Sequence, residues 1–231
     1  MEDRLTLNGT EMIQKVVCIG DSITEGYGIS EDSSAPYPAQ LQSILGEKYR
    51  VYNQGLSCTC VTNRKLNGRT VGMPYVLQEQ WKESLAIKGD IYVVTLGGND
   101  AQNGYNEEEN HPDEYNDVYA FRRYFREDYL WMMQKIREAA PNALIFSVSP
   151  VPVMECIWRK HQQIYLLDVL AKQKKIWEEN PWMIPVDAQS VFMEIDYGER
   201  IKLYQNDRLH LSREGAGLLA KTIAETIKKH A

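Results

Sequence analysis

Lys15-Val16-Val17-Cys18-Ile19-Gly20-Asp21-Ser22 is a β-branched, apolar run that stops at a glycine followed by two small polar residues. A strand covered on both faces reads this way, because a parallel sheet between helices leaves its strands no polar face. Similar short runs follow at 50–53 (RVYN, closed by Gly55), 91–96 (IYVVTL), 143–148 (ALIFSV) and 183–186 (MIPV). Helical patterns separate them. Residues 37–49 carry Leu41, Ile44 and Leu45 at helical spacing, 74–85 starts near Pro74, 119–140 is stopped by Pro141, and 161–179 follows the fourth strand. Ser212 opens the last helix, with Glu214 in its first turn and lysines at its end, as capping and the helix dipole favour. The alternation predicts an α/β protein: a five-stranded parallel sheet in a three-layer α/β/α sandwich.

With 231 residues the chain is long enough for one α/β domain with a substantial core. That domain is read over 1–231, with 1–14 as an N-terminal extension and 103–117 as an acidic insert, read first as a solvated loop, with a lid or pocket rim as the functional alternative. A net charge of −6 argues against nucleic acid or an anionic membrane as partner. No apolar run approaches membrane-spanning length, and residues 1–14 lack the apolar core of a signal peptide, so a cytoplasmic location is expected. Cys18 reads as a small buried hydrophobe. Cys58 and Cys60 have no further metal ligands at suitable spacing, and reduced thiols are expected. No metal or cofactor is anticipated: the chain has neither a phosphate-binding loop with its lysine nor G-x-G-x-x-G.

Four motifs carry the chemistry: Gly20-Asp21-Ser22-Ile23, Asn53-Gln54-Gly55, Gly97-Gly98-Asn99-Asp100 and Asp207-Arg208-Leu209-His210. The first three follow strands one, two and three, so in a parallel sheet they emerge at one edge, where ligands bind. Asp207 and His210 follow the fifth strand and can reach the same edge. A serine hydroxyl needs a base to become a nucleophile, and histidine, which titrates near neutrality, is the usual one. A carboxylate three residues away can orient its imidazole. The Ser22 amide, the Gly55 amide and the Asn99 side chain are candidate donors to the oxyanion that forms at an attacked carbonyl. Asp21 and Asp100 are read as loop supports. Ser57 is a rival serine without a comparable motif; His161 and His230 lack a nearby acid in a motif, and His111, among Glu107, Glu108, Glu109 and Asp113, reads as part of a solvated loop, with a metal site as the alternative. Trp158, just after strand four, is a candidate wall of the substrate pocket.

Taken together, GDSI at 20–23, NQG at 53–55, GGND at 97–100 and DRLH at 207–210 resemble the four blocks of the SGNH (GDSL-type) hydrolases, in family order across nearly the whole chain. The resemblance implies a flavodoxin-like fold and metal-independent hydrolysis of esters or thioesters. It implies Ser22 as nucleophile, His210 and Asp207 as the remaining triad, and Gly55 and Asn99 completing the oxyanion hole with Ser22. NDAQNGYN at 99–106 and FREDYLWMMQKIR at 125–137 resemble the carbohydrate O-acetylesterase branch more weakly. The expected substrate is therefore a small-molecule ester, an acetylated sugar first. The alternatives are a lysophospholipase or acyl-thioesterase acting on longer chains, and a carbohydrate-binding module on an inactive hydrolase fold.

Overall fold

Five strands make one parallel sheet in the computed structural model of the chain, which describes residues 6–7, 11–66, 69–70, 72–103, 120–154 and 160–231. They are β1 (Gln14–Gly20), β2 (Tyr49–Gly55), β3 (Ile91–Thr95), β4 (Leu144–Val148) and β5 (Ile184–Val186). Their spatial order is β5-β4-β3-β1-β2. The chain thus starts in the middle, steps to one side for β2, and crosses β1 to build the rest. This is the flavodoxin-like order, whose switch point lies between β1 and β3.

Side-chain alternation along the strands sorts the core into two layers. Val17, Ile19, Tyr92, Val94 and Ile145 pack with α2 (Glu79–Ala86), α3 (Ala120–Ala139) and α4 (Lys160–Glu179). Val16, Cys18, Val93, Phe146 and Val148 pack with α1 (Tyr37–Leu45) and α5 (Arg213–His230). The three-layer sandwich and its five parallel strands agree with the pattern in the sequence. Cys18 is fully buried, and Cys58 and Cys60 are free thiols.

Two helices differ from expectation. The one read over 37–49 ends at Leu45, because Gly46 takes φ 76° and its N–H closes on the Gln42 carbonyl. The one read over 74–85 divides into a 3₁₀ turn, Tyr75–Leu77, and α2. Between them Gln78 is extended, and Tyr75 is pulled into the core with its hydroxyl donating to the Gln54 carbonyl at 2.5 Å. Ser212 caps α5, accepting from the Gly215 amide at 3.2 Å. No helix among the described residues is long and apolar enough to cross a membrane.

What matters for the site is register. Gly20 is level with Gly55 on one side and Thr95 on the other. The segments that leave β1, β2 and β3 therefore depart from one height, around the switch point.

Candidate active site

Ser22 begins a single helical turn, Ser22–Glu25, directly after β1. Asp21 caps it: its carboxylate accepts from the Ile23 amide at 3.0 Å, and its carbonyl accepts from the Thr24 and Glu25 amides. Gly26, at φ 87°, ends the turn, and the Gly26 and Tyr27 amides both close on the Ser22 carbonyl at 3.0 Å. Below it, Thr24 Oγ1 is hydrogen-bonded to Thr95 Oγ1 at 2.5 Å, tying the turn to β3. The Ser22 N–H, at the first position of the turn, has no intrahelical acceptor.

Asp207 and His210 lie on a tight loop before α5. Gln205 N–H donates to the His210 carbonyl at 2.8 Å, and Arg208 turns the chain at φ 62°. Asp207 Oδ1 accepts from the Leu209 and His210 amides, each at 3.0 Å, which leaves Oδ2 for His210 Nδ1 at 2.6 Å. His210 Nε2 then lies 3.0 Å from Ser22 Oγ. Partial burial opposes charge on Asp207, but bonds from the imidazole and the two amides outweigh it and hold its pKa below the ordinary value. Gln205 joins the two loops, its Nε2 donating to the Tyr27 carbonyl at 2.6 Å and to the Leu211 carbonyl at 2.9 Å. Residues 188 apart in sequence are thereby held at hydrogen-bond distance.

Asn99 belongs to a helical segment, 98–103, that follows β3. Its Nδ2 donates one hydrogen to the Thr59 carbonyl at 3.0 Å, and a primary amide carries a second. Asp100 is buried and anchors the neighbouring loop, accepting from the Val61 and Thr62 amides and the Thr62 hydroxyl at 2.7–2.9 Å. Burial raises its pKa against those bonds. Asp21 is pushed up to about 7, again chiefly by burial, with the Ile23 amide opposing and Asp100 adding.

Gly55 does not occupy the position expected of it. Its N–H donates to Asn53 Oδ1 at 2.9 Å, and it is not among the described residues that line the cavity beside Ser22. It serves instead as a point of close approach: a Cβ there would fall 2.2 Å from the Glu25 nitrogen. Three residues on, Cys58 lines the cavity with φ 66°, and its amide meets no acceptor among the described residues. The rival Ser57 is engaged elsewhere, its amide and hydroxyl both on the Glu25 carboxylate.

The cavity has a volume of about 300 Å³. Ser22, Asn99, Gln102 and His210 contribute its polar side, and Val148, Pro150, Val151, Val153 and Leu166 an apolar wall. Tyr27 stands at His210, ring centroids 4.5 Å apart. Cys58, Tyr27 and Gln205 escaped the sequence reading. The two glycines flanking Tyr27 were a signal for it; Cys58 and Gln205 had none, since their roles depend on a backbone angle and a long-range contact. Trp158, His111 and residues 104–117 lie outside the described residues. His230 is remote from the site, edge-on to Phe146. Among the described residues no group of three or more His, Cys, Asp or Glu is arranged to hold a metal ion.

Comparison with known proteins bears on this arrangement. The profile of the GDSL-like lipase/acylhydrolase family matches residues 18–218. An acetylxylan esterase of Xylanibacter ruminicola is 29% identical over 218 residues, which cover 93% of this chain and 43% of that protein, so the chain spans less than half of its length. A lipase/acylhydrolase from Enterococcus faecalis superposes with a TM-score of 0.65 at 21% identity, covering 94% of this chain and 96% of the other. An acetylxylan esterase from Geobacillus stearothermophilus does so with a TM-score of 0.63 at 19% identity, covering 93% and 94%. At these identities the two structures speak for the fold.

Proposed function

Since the chain belongs to the GDSL-like lipase/acylhydrolase family, we propose that it hydrolyses carboxylic esters through an acyl-enzyme on Ser22. The observation that carries the reading is the unbroken run from Asp207 Oδ2 through His210 to Ser22 Oγ, with links of 2.6 and 3.0 Å, opening on the cavity. His210 Nε2 takes the hydroxyl proton as Ser22 Oγ attacks the carbonyl carbon, and the carbonyl π pair moves onto oxygen. Asp207 holds the imidazole in orientation and balances its positive charge. The Ser22 N–H, the second Asn99 Nδ2 hydrogen and the Cys58 N–H receive the oxyanion; the third role passes from Gly55 to Cys58, because the Gly55 amide is spent on Asn53. Collapse of the intermediate breaks the bond to the alcohol, whose oxygen takes the proton from Nε2. Water then gives a proton to Nε2 and attacks the acyl group, and Ser22 Oγ departs with that proton, releasing the acid.

The preferred substrate in this reading is an O-acetyl group on a carbohydrate or related small molecule, supported by the likeness to the X. ruminicola esterase. A second reading, longer acyl chains as in a lysophospholipase or thioesterase, is favoured by the apolar wall of the cavity. Esters graded by acyl length separate the two. The central test is Ser22→Ala with p-nitrophenyl acetate. Activity should fall at least about 10³-fold while the unfolding midpoint is kept; undiminished turnover in that variant would remove Ser22 from the chemistry.

A further inference from the structure

We infer that Tyr27 is the platform for the alcohol half of the ester, and that it favours a ring with an apolar C–H face, such as a pyranose, over an open-chain alcohol. The inference rests on the esterase reading above and adds to it the residue that selects the alcohol.

The reaction sets where the alcohol must lie. The leaving oxygen takes its proton from His210 Nε2, so whatever is bonded to that oxygen sits beside the imidazole. The side chain against that imidazole is Tyr27, with a centroid separation of 4.5 Å and a tilt of 38°. It is the only Tyr, Phe or Trp among the described residues lining the cavity. Although it packs on His210 and lines the cavity, Tyr27 remains 55% exposed, so the residue keeps surface open to a ligand. The axial C–H face of a pyranose is apolar and matches such a surface, while its hydroxyl edge stays wet.

Tyr27 is also held still. Its N–H donates to the Ser22 carbonyl at 3.0 Å and its carbonyl accepts from Gln205 Nε2 at 2.6 Å. Gly26 and Gly28 on either side take φ 87° and 76°, and a Cβ at Gly28 would fall 2.2 Å from Gln205 Oε1. An exposed aromatic ring on a backbone fixed to the nucleophile turn and to the histidine loop is preorganised for a ligand, so little further ordering is needed on binding.

The test compares kcat/KM for methyl acetate and a fully acetylated methyl xylopyranoside in the wild type, Tyr27→Phe, Tyr27→Leu and Tyr27→Ala. The ratio of sugar acetate to methyl acetate should fall about tenfold in the Leu and Ala variants, as expected for losing roughly 60 Å² of apolar contact, and chiefly through KM. Tyr27→Phe, which keeps the ring, should keep the ratio. A ratio that stays constant in both Leu and Ala variants would overturn the inference and leave Tyr27 as packing for His210. So would a wild type that shows no preference for the xylopyranoside. If the wild type hydrolyses neither acetate nor p-nitrophenyl acetate, the esterase reading itself falls, and this inference with it.

Discussion

Cys58 carries a backbone angle that a side chain resists. At φ 66° it stands in the left-handed region, which costs a non-glycine residue about 1–2 kcal/mol. In the proposed chemistry the conformation is useful because Cys58 lines the cavity and its amide meets no acceptor among the described residues, which leaves that N–H for the oxyanion. Two substitutions separate the amide from the thiol. Cys58→Gly relieves the angle and keeps the N–H; it should retain hydrolysis of p-nitrophenyl acetate and gain about 0.5–1 kcal/mol in urea unfolding, the lower end reflecting the freer unfolded chain. Cys58→Pro removes the donor and cannot take the angle; turnover should drop about 10²–10³-fold. Equal activity in the two variants would exclude the amide from catalysis. Ser22, Asn99, Asp207 and His210 were legible because each sits in a motif of distinctive residue types. Gly55 was misread for a physical reason. A glycine announces backbone freedom, not the direction of its N–H, and here that N–H turns to Asn53.

The element that carries Ser22 is the four-residue turn Ser22–Glu25, too short to leave a periodic pattern. The five strands, by contrast, were visible as apolar runs, and their ends differ from the reading by no more than two residues. The turn lies on the end of β2, where a Cβ on Gly55 would come within 2.2 Å of the Glu25 nitrogen and 2.6 Å of the Thr24 carbonyl carbon. Both are backbone atoms, so the neighbour cannot swing aside. Gly55→Ala should therefore destabilise the protein by about 1–3 kcal/mol in urea titration, and should lower turnover by moving Ser22. Wild-type stability and rate in that variant would show that the close packing is dispensable. The break between Tyr75–Leu77 and α2 was equally invisible to periodicity, because it goes with the Tyr75 hydroxyl reaching the Gln54 carbonyl on β2.

At the scale of the molecule, the site loads the core with acids. Asp21 is buried and its carboxyl is pushed up to about 7, by burial first, against the Ile23 amide and with help from Asp100. Between roughly pH 4 and 7 the folded protein thus keeps a proton that the unfolded chain has released. Stability from this group falls as pH rises through that window. Asp207, whose pKa is lowered, acts in the opposite sense, and its contribution is lost as pH falls below the ordinary carboxylate range. Asp21→Asn keeps an oxygen to accept from Ile23 and removes the titration. Its unfolding free energy relative to wild type should rise by at least about 1 kcal/mol between pH 5 and pH 8; a pH-independent difference would mean that Asp21 is ionised throughout. The sequence by itself determined the layers, the parallel sheet and the residue types of the candidate site, because burial on both strand faces and the glycine breaks are local properties written in composition and spacing. Only the tertiary structure decided which amide near the cavity is already bonded and which is not, which aromatic stands against His210, and that Gln205 binds the Ser22 and His210 loops together. Those depend on backbone directions and on contacts such as Gln205 to Tyr27, 178 residues apart, which no local pattern encodes.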